Sequence, residues 1–218
     1  MPKPPHCARL SYMEMEERKA EVASFMGRIY DRGLTTATGG NLSVRAGALM
    51  LITPSGKDKA SLSAEDIAEV DISTGENLTP GKKLSIETEM HRLIYLRRPD
   101  IGAVAHSHPL FSCLFSASTV PLRSAIIAED YYLLGDVPVV PYRQMGSKAL
   151  AEAVAEHIVH HDALLLRNHG ALAVGKDLLS AFDRLECLEQ CAHLTFLSRV
   201  IDVDDINEKD RAAIALMR

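Results

Sequence analysis

The chain has no surplus of positive charge, no long apolar run and no paired-cysteine motif, and each absence narrows what it can be. Its 24 lysines and arginines against 29 aspartates and glutamates leave a formal charge of −5 over 218 residues. A partner with a phosphodiester backbone calls for a basic surface, so nucleic acid is not an expected ligand. No apolar stretch approaches the roughly 20 residues that a bilayer-spanning helix needs, so no membrane partner is expected. The opening Met-Pro-Lys-Pro-Pro-His has no apolar central segment, and a signal peptide is not expected. The four cysteines, Cys7, Cys113, Cys187 and Cys191, include no CxxC pair of the zinc-binding kind. Cys187 and Cys191 stand four apart on an expected helix, where buried thiols are the ordinary outcome. Four free thiols fit a reducing cytoplasm.

What is present is an ordinary globular composition, 47% hydrophobic and 24% charged. A chain of this length buries one good-sized core, and neither a linker nor a repeat divides it. A single domain over 1–218 is expected, with 1–13 a loosely ordered N-terminal extension. Val22, Phe25, Met26, Ile29 and Tyr30 form a helical stripe within 14–32, closed by Gly33. Short β segments follow at 41–45 and 49–53, joined as a hairpin through Ala46-Gly47, with a third at 68–72. Ser85 reads as the N-cap of a helix running to about Arg97, where Arg98-Pro99-Asp100 ends it. Next come the strand that carries His106 and His108, a short helix, a strand over 137–142 and a helix from Ser147 to about His160. Residues 162–175 read as a hairpin turning at His169-Gly170, and Asp177 opens a last long helix reaching about Val200. Hairpins mixed with helices, without a regular βαβ alternation, predict an α/β (α+β layered) fold with one mostly antiparallel sheet flanked by helices.

His106 and His108 carry the strongest chemical signal. They lie two apart in Ile101-Gly-Ala-Val-Ala-His-Ser-His-Pro109, and strand alternation sends both imidazoles to one face. Two nitrogen donors side by side make half of a transition-metal site. His169 supplies a candidate third donor: in Leu164-Leu-Leu-Arg-Asn-His-Gly170 an apolar strand turns polar at its end, and Gly170 permits close backbone approach. Three histidines of this kind form the open tridentate set of a catalytic zinc rather than a closed structural site. From spacing alone, satisfied core or surface histidines compete with that reading. The remaining histidines divide simply. His157, His160 and His161 read as a solvated cluster at a helix end, His193 and His6 as structural or incidental, and His91 as a packing or orienting residue.

Glu87 falls in the first turn of the expected helix, where a lone glutamate is ordinarily a surface residue that favours the helix dipole. The stretches Thr38-Gly-Gly-Asn-Leu-Ser-Val-Arg45 and Ile52-Thr-Pro-Ser-Gly56 offer amides and hydroxyls suited to an anion, although turns use the same residues.

Taken in order, Gly-Gly-Asn-Leu-Ser-Val-Arg, Ile-Thr-Pro-Ser-Gly, Ser-x-Glu-x-x-x-His, Arg-Pro-Asp, Ala-Val-x-His-x-His, Val-Pro-Tyr and Arg-Asn-His-Gly resemble the class II aldolase/adducin family. The likeness spans about Ala20 to Arg199 and is strongest toward its fuculose-phosphate aldolase branch. The resemblance implies that His106, His108 and His169 hold a divalent ion, usually zinc, with Mn2+ or Co2+ as alternatives. Glu87 stands beside it as acid/base and further ligand. It implies a phosphate site made by Gly40, Asn41, Ser55, Gly56 and Ser85. Ile86 occupies a position where the family commonly has a second hydroxyl, which removes one phosphate donor. Family aldolases also take a tyrosine from a neighbouring subunit as the acid at the leaving alkoxide, and Tyr131 and Tyr132 lie in roughly that region. A homotetramer with sites at subunit boundaries is implied as well.

The implied activity is cleavage of a ketose 1-phosphate to dihydroxyacetone phosphate and an aldehyde through a zinc-stabilised enediolate. Glu87 needs a pKa lifted toward neutrality for this, which partial desolvation can provide. The same metal site serves dehydratases of the methylthioribulose 1-phosphate type, epimerases and decarboxylases. A non-enzymatic, adducin-like assembly module is the alternative from another class.

Overall fold

A reciprocal cap starts the first helix. The Ser11 hydroxyl accepts from the Glu14 amide (3.3 Å), and the Glu14 carboxylate accepts from the Ser11 amide (2.7 Å). The computed structural model describes residues 11–218, so His6, Cys7 and most of the expected N-terminal extension lie outside the described residues. Residues 12 and 13 already belong to helix α1, Tyr12–Asp31, which turns Val22, Met26 and Ile29 inward. Gly33 takes φ +69° just past its end, and the Leu34 amide reaches back to the Ile29 carbonyl (3.0 Å).

Strand β1 (Asn41–Ala46) and strand β2 (Leu49–Ile52) form the expected hairpin, with Ala46 opposite Leu49. Strand β3 (Ala68–Asp71), helix α2 (Thr88–Arg97) and strand β4 (Ala103–Ser107) follow. Helices α3 (Leu110–Ala117) and α4 (Ala128–Leu134) lead to the short strand β5 (Val139–Val140) and helix α5 (Lys148–His157). Strands β6 (Ala163–Leu166) and β7 (Gly170–Gly175), helix α6 (Leu178–Leu197) and helix α7 (Glu208–Ala215) complete the order.

The strands form one sheet in the order β3-β2-β1-β4-β7-β6-β5. Every neighbouring pair is antiparallel except β5 and β6. The sheet is therefore mixed, and the physical reason lies in the connection: α5 carries the chain across from β5 to β6, as a parallel pair requires. Each face of the sheet has its own core. On one, α1 and α6 cover Leu42, Val44, Ala105, Leu165 and Ala173; on the other, α2 and α5 cover Met50, Ile52, Val104, Leu164 and Leu172.

Three boundaries differ from the sequence reading. Helix α2 begins at Thr88 with Glu87 as its N-cap, so Ser85 sits in the preceding turn. Strand β5 has two residues where six were expected, because it lies at the sheet edge and only Val139 and Val140 pair with its one neighbour, β6. Helix α7 was not anticipated; none of its residues is buried, so its sequence carries no apolar stripe to read. No helix among the described residues is long and apolar enough to cross a membrane.

Candidate metal and anion site

Sheet register builds the centre of the site. In the β1–β4 ladder Asn41 pairs with His106, and in the β4–β7 ladder Ser107 pairs with Ala171. Alternation along β4 turns Ala105 toward the α1–α6 core and leaves Val104 and His106 facing α2. His108 follows one residue past the strand. His169 occupies the three-residue turn between β6 and β7, where Asn168 adopts φ 54°. Gly170 is needed there: a Cβ would lie 2.6 Å from the Ser107 carbonyl oxygen and 2.7 Å from Cδ2 of His108. Gly40, at φ +66°, is pressed as tightly against the backbone of β4, 2.7 Å from the His106 carbonyl oxygen to the same imagined Cβ.

These constraints gather the three imidazoles, with one nitrogen from each lying within 4.8 Å of the others. His106 is completely buried, and His108 and His169 are half-buried, so the cluster has an open side. The His106 Nδ1 lies 2.9 Å from the Ala171 carbonyl oxygen, a contact that turns Nε2 inward toward Glu87. That Nε2, together with Glu87 Oε1 and His169 Nδ1, is buried without a hydrogen-bond partner. Three imidazole nitrogens gathered this closely, with His106 Nε2 buried and without a hydrogen-bond partner, are what a divalent cation satisfies. The donor set fits such an ion, and its nitrogen-rich character suits a transition metal such as zinc better than calcium.

Glu87 stands outside the triad against two of its members. Its Oε2 lies 3.2 Å from His106 Nε2 and its Oε1 3.1 Å from His169 Nε2. Burial pushes its carboxyl up, but the charge on His106, the close imidazole nitrogens of His106 and His169 and the hydrogen bond from Asn41 outweigh that. The result is a carboxyl held well below the usual range, where the sequence reading expects one raised toward neutrality. Burial drives the His108 imidazole down to about 4, with the charges of His106 and His169 adding to it.

Behind Glu87 runs a buried polar chain. Asn41 Nδ2 donates to Glu87 Oε2 (2.8 Å), and Asn41 Oδ1 receives the proton on His91 Nε2 (2.6 Å). His91 Nδ1 then accepts from Ser43 Oγ (2.7 Å), which itself contacts Tyr95 Oη at 2.9 Å. Because an ionised carboxylate only accepts, the amide orientation and hence the His91 tautomer follow from Glu87. Burial, with the charge of His106 adding to it, pushes His91 down to about 3, so it is a neutral orienting group.

A cavity of about 150 Å3 opens beside Glu87 and His108, lined also by Thr38, Gly40, Asn41, Ser55, Lys59, Ser85 and Ile86. Four of the five residues assigned to the anion cradle therefore meet there. The fifth, Gly56, shapes the adjoining turn at φ +72° with open space around it. Asn41 spends its amide on Glu87 and His91, which leaves it one N–H for a ligand. Tyr131 and Tyr132 lie on α4, half-buried and exposed respectively, and neither lines this cavity. Among the described cysteines, Cys113, Cys187 and Cys191 are free. Lys59 escapes sequence reasoning, because Lys57-Asp-Lys59 looks like solvated loop, yet its side chain is buried in the cavity wall.

Comparison with known proteins agrees with this arrangement. The family model described as the class II aldolase and adducin N-terminal domain matches residues 20–196. An L-fuculose phosphate aldolase of Methanocaldococcus jannaschii is 34% identical over 183 residues, covering 84% of this chain and 98% of that protein. A 3-oxo-tetronate 4-phosphate decarboxylase of Pectobacterium atrosepticum is also 34% identical, over 207 residues, covering 90% and 94%. A solved L-fuculose 1-phosphate aldolase superposes with a TM-score of 0.86 at 31% identity, covering 96% of this chain and 98% of its own. A match from within α1 to the end of α6, carrying the sheet and all the clustered histidines, means that the chain belongs to the class II aldolase and adducin N-terminal domain family.

Proposed function

We propose that this protein is a metal-dependent aldehyde-lyase acting on a ketose 1-phosphate, releasing dihydroxyacetone phosphate and an aldehyde. One observation carries the reading. A buried carboxylate, Glu87, is clamped between two histidines of a three-histidine cluster at the wall of a polar cavity. A divalent ion held by His106, His108 and His169, zinc in our reading, supplies a Lewis acid for the oxyanion that develops as a carbon–carbon bond breaks.

The chain's own residues do the rest. Ser55, Ser85, Gly40 and the free N–H of Asn41 hold the anionic end of the substrate, with Gly56 setting the turn. When the C3–C4 bond breaks, its electron pair stays on C3 and the C4 hydroxyl oxygen becomes the aldehyde oxygen; the proton it loses passes to the ionised Glu87 carboxylate, which then delivers it to C3. The Asn41–His91–Ser43 chain fixes the carboxylate for that transfer. Protonation by a positioned acid is worth about 10²–10⁴-fold in rate. The reading includes a homotetramer in the cytoplasm, with Tyr131 or Tyr132 offered to a neighbouring copy's site as the hydrogen-bonding group at the C4 oxygen. Free thiols at Cys113, Cys187 and Cys191 suit that compartment.

The second reading is decarboxylation of a 3-oxo acid phosphate, favoured by the equal identity to a relative of that name. There too an electron pair is left beside a carbonyl and Glu87 returns the proton. Incubating the metal-loaded protein with a panel of ketose 1-phosphates and 3-oxo acid phosphates separates the two. Dihydroxyacetone phosphate release supports the aldolase, carbon dioxide release supports the decarboxylase, and a product of unchanged carbon count refutes both. Glu87→Gln is expected to lower turnover by about 10²–10⁴-fold while metal content stays the same.

A further inference from the structure

We propose that Lys59 is the cation that pairs with the anionic group of the substrate, supplying in charge what Ile86 fails to supply in hydrogen bonding. The inference rests on the sugar-phosphate reading and names the residue on which that reading's affinity depends.

Lys59 is 1% exposed, yet it lines the same cavity as Ser55, Ser85 and Glu87. Its backbone amide is tied to the Ala37 carbonyl (2.8 Å), so the residue is pinned to the loop that leads into β1. Its Nζ donates to the Pro54 carbonyl (2.8 Å), within the turn that carries Ser55. An ammonium has three N–H donors, and this contact uses one. Among the described residues no carboxylate comes within ion-pair reach of Nζ, although the other deeply placed lysine, Lys19, has Glu16 and Glu69 at 2.8 and 2.7 Å. A buried, unpaired charge is costly and needs a partner. Here the open volume beside it, about 150 Å3, is the place for one.

Apart from the ionised Glu87 in the same wall, the neighbouring residues offer donors to an anion. Ser55 and Ser85 contribute hydroxyls, and the start of α2 adds the positive end of a ten-residue helix. Ile86, 56% exposed, presents only hydrocarbon where the resemblance leads one to expect a hydroxyl. A tetrahedral oxyanion in this cavity would meet two hydroxyls, the free Asn41 N–H, the helix start and one ammonium. The charge-assisted contact is the strongest of these. Burial holds the Lys59 amine down to about 8, and a bound anion raises it again. Anion binding above that pH therefore takes up a proton.

The test titrates inorganic phosphate into the metal-loaded full chain by calorimetry, for wild type and Lys59→Met. We expect Lys59→Met to weaken phosphate binding at least tenfold at pH 7, with unchanged metal content and a melting temperature no lower than wild type. The last readout separates a ligand-binding lysine from a structural one, whose loss lowers stability. At pH 9, wild type is expected to take up a proton on binding and the variant none. Should Lys59→Met fail to fold, Lys59→Gln keeps a donor for the Pro54 carbonyl without the charge and is held to the same criterion. Phosphate affinity within twofold of wild type in the variant overturns the proposal while leaving the sugar-phosphate reading intact. A wild-type protein that binds no phosphate overturns both.

Discussion

Replacing His91 by leucine tests the polar chain behind Glu87. The substitution removes the donor to Asn41 Oδ1 and the acceptor for Ser43 Oγ, at a position with no solvent access. Each buried polar group left without its partner costs about 1–3 kcal/mol. Ser43 recovers part of that by turning its hydroxyl to Tyr95 Oη, already 2.9 Å away, so the sum is about 2–5 kcal/mol. For a chain of this size that lowers the melting temperature by about 5–15 °C. The catalytic effect is separate: without His91, the Asn41 amide is held toward Glu87 from one side only. Loss of such a supporting contact costs about 10–100-fold in activity or metal affinity. The assay is chemical denaturation and steady-state turnover for His91→Leu, Ser43→Ala and the double variant. Ser43→Ala in the leucine background removes the hydroxyl already stranded, so the double variant is expected to lose less than the sum of the singles by about 0.5–3 kcal/mol. Additivity to within about 0.5 kcal/mol, with a melting temperature within 2 °C of wild type for His91→Leu, refutes the chain as a coupled unit.

Gly170→Ala is expected to abolish tight metal binding, since the added methyl lies 2.7 Å from the His108 ring and 2.6 Å from backbone, and metal analysis after dialysis checks it. Acid pH is expected to destabilise the metal-free protein through His91. Its pKa is about 3 in the fold against about 6.5 unfolded, so below pH 6.5 the unfolded chain binds the extra proton. The stability is complete above pH 6.5 and is lost as pH falls toward 3, by about 1.4 kcal/mol per pH unit. Denaturant midpoints from pH 7 to pH 4 check this, and an equal slope in His91→Leu contradicts it.

Much of the site is legible in the sequence because its donors obey short-range rules. His106 and His108 share a face through the two-residue period of a strand, and His169 stands out as the polar end of an apolar one. The hairpin of β1 and β2 announces itself through Gly47, which takes φ +64°. What escapes depends on three-dimensional neighbours. The two paired residues of β5 are fewer than any periodicity detects, so the parallel pair with β6 is invisible. Ser85 has the chemistry of an N-cap, but the chain makes one more turn before α2 begins. The depressed Glu87 carboxyl needs His106 and His169 at their actual distances, and desolvation alone gives the opposite sign. Lys59 looks like any loop lysine until Pro54 and Ala37 are seen to enclose it.

The Asn41–His106 pairing has a consequence for how this site forms. Two residues sixty-five positions apart in sequence meet because the ladder joining β1 to β4 admits a single register. A slip of one residue would turn Leu42 and Val44 out of the core. The hydrophobic interior thus chooses the position of His106 and of the residues around it, with no ion needed to set it. The apoprotein is accordingly a receptor assembled in advance. A metal bound here would be a guest of the finished sheet rather than its organiser, and stripping it is expected to leave the cage standing.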